Sequence, residues 1–518
     1  MSADAVMKFG VVGVYFAALF VIAYYASKRI KDIQDYFIAG KKLNYWIVAF
    51  SSRATGESGW LLLGLTGMGF AVGAHAFWVL MGEMIGVVFC WVFLTQRFKA
   101  LTDRYESITV PDYLESRTED FGHAIRIVSA VVLVVFVTAY LSAQLTAAGK
   151  AFETFLGIPH LWGVFLGLGI ILAYTVAGGF VAVAWSDFLQ GAMMVGGLTL
   201  LPLVALYHVG GIGPLFEGLR AQDPGLIGAW GKDGFGLKAV LSALGLVTIG
   251  LGYLGSPQLA VRFIALRDIK EIRQGSVVAA LFTLFADGGA VLTGLCGRVV
   301  YTALADQETV LPLLVNDFMH PILIGLFISV VLAAIMSTAD SLLILASSAV
   351  VRDVYQKVLH PEASDASLTN VSRAVTGGLC LFALIFALKG GKLVFWFVLF
   401  GWAGITSVFC PAIVLSVFWK RLTRQGVLAG MIVGFVVTVV WNSAPIGWWT
   451  AVIPGFEGWL AAHGFSAAKT LSSVLYEIFP AVVASTAATV AVSLRTTPPE
   501  RAFADLDAIR LEVVDVWR

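Results

Sequence analysis

Ser51-Ser52-Arg53-Ala54-Thr55-Gly56-Glu57-Ser58-Gly59 is a polar, glycine-broken stretch set between two apolar runs. Tyr45-Trp46-Ile47-Val48-Ala49-Phe50 precedes it and Trp60-Leu61-Leu62-Leu63-Gly64-Leu65 follows it. The flanks read as one bilayer-crossing helix, and hydrocarbon offers no water to satisfy the backbone groups that a break sets free. An interruption at that depth persists only where the chain lines a cavity or binds something. Residues 53–59 are therefore the first candidate site.

Composition agrees with a membrane setting. The chain of 518 residues is 59% hydrophobic and 13% charged, about half the charged share of an ordinary soluble domain, and its mean hydropathy is +0.87. Apolar runs of about 20 residues recur along it, the signature of a polytopic α-helical membrane protein. The spacing predicts thirteen spans, near 6–27, 44–73, 76–97, 122–156, 160–178, 182–206, 237–264, 276–303, 321–351, 370–388, 393–419, 426–444 and 470–494. A net charge of +1 and the absence of a basic run give no footing for nucleic acid. The four cysteines lie in apolar spans without paired spacing, and no histidine pair has metal-ligand spacing, so neither a redox centre nor a metalloenzyme site is expected. The first apolar run lacks a cleavage signal and reads as a retained helix.

Basic residues cluster after odd-numbered spans: Lys28, Arg29, Lys31, Lys41 and Lys42; Arg97, Lys99 and Arg104; Arg262, Arg267, Lys270 and Arg273; Lys420, Arg421 and Arg424. Apart from Lys389 and Lys392, the other exits are poor in positive charge and carry Trp448, Trp449 and Trp459. The positive-inside rule then places the N-terminus outside and the C-terminus in the cytoplasm of a cell inner membrane protein. The tail over 495–518 is too short for a soluble domain, which argues against a tethered kinase or sensor.

A second broken helix reads Gly250-Leu251-Gly252-Tyr253-Leu254-Gly255-Ser256-Pro257-Gln258, where proline removes a backbone donor and glycine weakens the helix. It follows the first break by five spans. Paired interrupted helices, one in each half, point to an inverted-repeat transporter with its site at the midplane. Charges inside the spans add to this. Asp187 lies in the sixth span, and Ser337, Asp340 and Ser341 lie at i, i+3 and i+4 on one helical face of the ninth, beside Thr338. Such oxygens suit a hard cation, Na⁺ or else H⁺. Arg53 and Glu57 are four apart and read either as an internal ion pair or as a charge that Arg53 offers to an anionic substrate group. Asp287, Arg298 and Glu83 are further intramembrane charges to which spacing assigns no role.

With these segments in hand, the chain resembles the sodium:solute symporter family from about residue 8 to 495, and is most like its bacterial sodium/proline symporters. The resemblance is carried by Ala54-Thr55-Gly56-Glu57-Ser58-Gly59-Trp60, by Gly178-Gly179-Phe180-Val181-Ala182-Val183-Ala184-Trp185-Ser186-Asp187, by the 250–257 segment, by Leu332-Ala333-Ala334-Ile335-Met336-Ser337-Thr338 and by Arg421-Leu422-Thr423-Arg424-Gln425-Gly426. It implies an all-α fold of the LeuT type, a single transporter domain over 1–494. This comprises five helices over 44–206, an inverted five over 237–419, two accessory helices over 426–494 and a monomeric functional unit. It implies Na⁺ as co-transported ion, held by carbonyls of Ala54, Glu57 and Ala334 and hydroxyls of Ser337 and Thr338. A second ion site in some members corresponds to Asp187, Ser337, Asp340 and Ser341. The implied solute, a small amino acid and foremost proline, would meet Thr55, Ser58, Gly59, Tyr140, Tyr253 and Pro257. Two departures stand out: proline symporters typically carry Asp where this chain has Gly56 and Trp where it has Ile249. Arg53 and Asp340 also replace small or hydroxyl residues. Those departures leave room for another amino acid or a small carboxylate, for H⁺ coupling, or for a solute sensor built on the transporter fold. A membrane enzyme is disfavoured, since no nucleophile–base pair is present.

Overall fold

The computed structural model describes residues 3–29, 33–389, 394–466 and 468–513. Lys31 and Lys392, used in the orientation argument, lie outside these residues, as do 514–518 of the tail. The described residues are mostly helical and contain no β-strand. Ten helical segments are long and apolar enough to cross a membrane, one of them covering 60 residues, and two shorter apolar helices accompany them. The protein is thus a multi-pass membrane protein.

The elements that build the site are, in chain order, α1 (Ala3–Ser27), α2 (Tyr45–Gly59), α3 (Phe77–Phe89), α4 (Val110–Thr118), α5 (Ala124–Leu156) and α6 (His160–Val209). They continue with α7 (Leu237–Val247), α8 (Pro257–Ala265), α9 (Ile272–Val300), α10 (Val310–Phe318), α11 (Pro321–Ser348), α12 (Asp365–Lys389) and α13 (Val394–Phe418). The chain ends with α14 (Arg424–Ser443), α15 (Ile478–Leu494) and α16 (Arg501–Val513). Helix α11 is the centre, packed against α1, α2, α5 and α6, while α14 and α15 pair with each other beside α13. Large apolar side chains such as Val14, Ile85, Phe93, Leu203, Val277 and Leu281 point outward. In a bilayer they meet acyl chains, so their exposure carries no penalty.

Both breaks read from the sequence are present. Helix α2 begins at an N-cap, Asn44, whose side chain accepts the Ile47 N–H. It leaves helical geometry at Ser58, with φ 55° and ψ −173°, a conformation that is almost confined to glycine and costs a side-chain-bearing residue about 1–3 kcal/mol. The span then resumes through a π-helical turn, Trp60–Leu65. The second break is a run of 3-10 turns, Thr248–Leu254, closed by Pro257 at the first turn of α8. Here glycine is required by contact: a Cβ on Gly250 would lie 1.9 Å from the Gly82 carbonyl oxygen of α3, and one on Gly252 would lie 2.0 Å from the Trp402 ring. The two runs predicted at 160–178 and 182–206 form one long element turned at Gly179, φ 57°.

The tail forms α16, which returns to the end of the 60-residue segment. Tyr105 donates to Asp505 (2.7 Å) and Arg104 pairs with the same carboxylate (2.8 Å). Burial, with the Asp505 carboxylate beside it, pushes the Tyr105 phenol up, so it remains a neutral donor.

Candidate functional site

The site grows from the place where the broken end of α2 crosses α11. Ser337 Oγ donates to the Ala54 carbonyl (3.0 Å) and lies 3.2 Å from the Ala334 carbonyl of its own helix. Thr338 Oγ1 donates to the Thr55 carbonyl (2.9 Å). Four of the five residues expected to hold Na⁺ therefore converge here: Ala54, Ala334, Ser337 and Thr338, all buried. The Glu57 carbonyl accepts the Trp60 N–H across the break. The donor set is neutral oxygen throughout, the chemistry of a hard monovalent cation. The Ser58 turn interrupts the i→i−4 ladder of α2 next to Ala54 and Thr55, whereas the Ala334 carbonyl belongs to the unbroken helix α11.

The four residues of the expected second ion site also meet, and they do so around a residue that sequence reasoning misplaces. Asp187 Oδ2 accepts from Ser51 Oγ (2.6 Å), Thr55 Oγ1 (3.3 Å) and Arg262 Nη2 (2.8 Å). Arg262 also reaches Ser341 Oγ (2.5 Å) and Ser51 Oγ (2.8 Å). Ser341 donates to the Ser337 carbonyl (2.7 Å) and touches Asp340 Oδ1 (3.3 Å). The charge pattern groups Arg262 with the cytoplasmic loop. It is instead 2% exposed, because α8 begins only at Pro257 and one further turn carries residue 262 under α2. A buried carboxylate such as Asp187 demands a partner, and that demand is the available signal. A cavity lined in part by Ile108, Thr109, Gln258, Arg262, Ser341 and Asp353 reaches this network from the α4 end of the molecule.

The residues expected around the solute divide. Ser58, Gly59 and Tyr140 lie together: the Tyr140 hydroxyl is close to Ser58, and the Gly59 N–H donates to Gln144 Oε1 (3.1 Å). Tyr253, its hydroxyl 3.1 Å from Glu57 Oε1, has its ring edge-on to Trp402 with centroids 5.4 Å apart. Trp402 Nε1 in turn donates to the Ile249 carbonyl (2.9 Å), so an indole from α13 packs on the segment that lacks its own Trp at 249. Pro257 begins α8 beyond the break. Thr55 faces the other way, into the Asp187 network, where it also meets Ser341 (3.2 Å).

Arg53 and Glu57 are in direct contact, which realises the ion-pair reading. Glu83 of α3 (3.0 Å) and Asp287 of α9 (3.7 Å) complete a buried cluster around the same guanidinium, whose plane also lies 4.4 Å from the Tyr253 ring centroid. Arg298 lies elsewhere, over Phe70. The two ends of the bundle hold further ion pairs, built on the buried Lys150 and Arg126. Lys150 binds Glu308 (2.5 Å) and Asp306 (2.7 Å), and Glu308 caps α13 by accepting the Val394 and Phe395 N–H groups (2.9 and 2.8 Å). At the α4 end, Arg126 joins Asp112 (2.5 Å), Glu115 (2.6 Å) and Asp353 (2.6 Å). All four cysteines are free and buried.

The sequence profile of the sodium:solute symporter family matches residues 36–434. Over 495 residues the chain is 35% identical to the high-affinity proline transporter PutP of Bacillus subtilis (strain 168), covering 94% of this chain and 98% of that one. It is 32% identical over 454 residues to the sodium/proline symporter of Escherichia coli (strain K12), covering 86% and 89%. Among solved structures, a Na⁺-coupled sialic acid symporter in a substrate-bound outward-open state superposes with a TM-score of 0.76 at 18% identity, covering 95% of this chain and 98% of that one. That likeness concerns the fold.

Proposed function

Because the chain belongs to the sodium:solute symporter family, we propose that it carries a small amino acid, foremost proline, into the cell together with Na⁺. The protein is a transporter and not an enzyme. The observation that carries the reading is the meeting of the Ser337 and Thr338 hydroxyls with the Ala54 and Thr55 carbonyls at the Ser58 break. Na⁺ is held by the carbonyls of Ala54, Glu57 and Ala334 and the hydroxyls of Ser337 and Thr338. Its binding ties α2 to α11 and fixes the broken end of α2, on which Ser58 and Gly59 stand. The solute is held between that end and Tyr253, with Tyr140 beside Ser58. The family resemblance of the named relatives, both proline carriers by name, supports proline as the first solute to test.

The two halves, 44–206 and 237–419, act as inverted repeats that rock about this midplane site, in a functional unit of one chain. On this reading the α4 end, with its cavity to Arg262 and Ser341, faces the cytoplasm and the Lys150–Glu308 end faces outside, an orientation that the basic loops support. An Na⁺ moving down 100 mV contributes about 2.3 kcal/mol before its concentration gradient is counted. A thermal-shift series of the purified protein with amino and carboxylic acids, each with and without Na⁺, tests the reading. Proline should raise the melting temperature only when Na⁺ is present. Stabilisation by proline that is equal in Na⁺-free buffer contradicts it.

A further inference from the structure

The charged side chains of the Arg53 cluster are not among the groups that hold the ion or solute described above, yet they concentrate more charge than any part of that site. Glu57, Glu83 and Asp287 come from three different helices and are 0–2% exposed. One oxygen of each lies within 4.8 Å of the others. Arg53 is in contact with Glu57 Oε1, 3.0 Å from Glu83 Oε2 and 3.7 Å from Asp287 Oδ2. The Tyr253 hydroxyl lies 3.1 Å from Glu57 Oε1 and 2.9 Å from Glu83 Oε2, and has one proton to give. One guanidinium among three carboxylates leaves two formal negative charges without a counterpart in a dry interior, where an unpaired ionised group is heavily penalised.

The second observation is the state of the oxygens themselves. Among the described residues, neither oxygen of Asp287 and not Oε2 of Glu57 meets a hydrogen-bond donor. The close polar neighbours of Asp287 are the guanidinium at 3.7 Å and the Glu83 carboxyl, the latter a like charge when both are ionised. A fully buried carboxyl that faces two others, with no N–H or hydroxyl donor on either oxygen, either shares a proton with its neighbour Glu83 or takes a cation, and only a cation meets all three carboxyls at once. The spacing agrees: hard cations of this size sit about 2.3–2.6 Å from each oxygen, as Ca²⁺ does, and take mixed, irregular oxygen sets.

We propose that Glu57, Glu83 and Asp287 form a cation site separate from the Ser337–Thr338 site, taking a hard, oxygen-coordinated metal ion beside Arg53. The inference rests on the symporter reading, since Glu57 then serves both sites, its carbonyl in one and its carboxylate in the other. Occupation of the two is thereby tied through a single residue at the helix break. Na⁺ is the expected occupant and Ca²⁺ the other ion of matching size. Mg²⁺, which keeps several waters and demands octahedral geometry, does not suit a site this dry.

Equilibrium binding of ²²Na⁺ and, in a second arm, ⁴⁵Ca²⁺ to the purified full-length protein tests this. Wild type should bind one ion more than the Ser337–Thr338 site accounts for, and Asp287→Asn and Glu83→Gln should each lose one bound ion, in the arm that identifies it. Ser337→Ala with Thr338→Ala should lose a different Na⁺ and retain the Asp287-dependent ion. A wild-type count of one Na⁺ and no Ca²⁺ overturns the proposal without recourse to any variant. So do unchanged counts in both arms for Asp287→Asn and Glu83→Gln. If the Ser337→Ala, Thr338→Ala protein loses no Na⁺, the symporter reading is what fails, and the two failures are distinguishable.

Discussion

In the proposed mechanism single residues carry most of the coupling chemistry, and they differ in how visible the sequence makes them. The i, i+3, i+4 spacing of Ser337, Asp340 and Ser341 alone puts them on one helical face, and that face does meet α2. In the proposed Na⁺ site, replacing Ser337 and Thr338 together by Ala removes both hydroxyl ligands. At about 1.5–3 kcal/mol for each interaction with a charged group, the Na⁺ concentration for half-maximal uptake should rise at least tenfold. Measuring uptake against Na⁺ concentration checks this. Arg262 is hidden, because a charge one or two turns inside a span end looks the same in sequence as a loop charge. Removing it as Arg262→Gln leaves Asp187 buried without its cation, which should cost about 3–5 kcal/mol. Thermal unfolding should register this loss, and Asp187→Asn in the same chain should restore part of it. Gly56 shows why one departure from the proline symporters has no reading at the level of sequence. A Cβ there would lie 2.9 Å from the Tyr253 ring, so an Asp at 56 and this placement of Tyr253 exclude each other. The acidic side chains of this region stand instead at 57, 83 and 287, a relation between distant helices that local spacing does not encode.

At the scale of elements, both interruptions are legible because their cause is local. Glycine and proline weaken a helix wherever they occur, and polar residues at bilayer depth mark where weakening is tolerated. What the sequence does not carry is the shape of each break. The first is a single strained residue, Ser58, followed by a π-helical turn; the second is a run of 3-10 turns held by its neighbours. The second is fixed by packing against α3: a Cβ on Gly250 would meet the Gly82 backbone, and a Cβ on Gly82 or Gly86 would meet the backbone of Val247 or Gly250. Gly250→Ala should therefore cost well over the ~1–3 kcal/mol of ordinary overpacking, since the obstruction is backbone rather than a side chain that can turn away. The expected outcome is loss of monodisperse protein on size-exclusion in detergent, whereas Gly10→Ala, with nothing within 4 Å of its Cβ, should behave as wild type. The short helices α4, α10 and α16 are not legible either, because each is under 14 residues and lacks the length on which span recognition depends.

For the molecule as a whole, the pieces form one arrangement. A central helix, α11, touches α2 at the proposed ion site, through Ser337–Ala54 and Thr338–Thr55. The two broken segments meet where the Tyr253 hydroxyl reaches Glu57 of α2, and ion pairs lie at each end of the bundle, Lys150–Glu308 at one and Arg126 with its three carboxylates at the other. The α4 end also holds the cavity that reaches Arg262, Ser341 and thus the Asp187 network. In the alternating-access account, ion and solute leave by that end, and uptake against a gradient requires that Na⁺ and solute travel together. The most direct test is uptake of labelled proline by proteoliposomes under an inward Na⁺ gradient, beside an equal K⁺ gradient. The account predicts transient accumulation above equilibrium with Na⁺ alone. Equal uptake under both gradients, or none that rises above equilibrium, would contradict it.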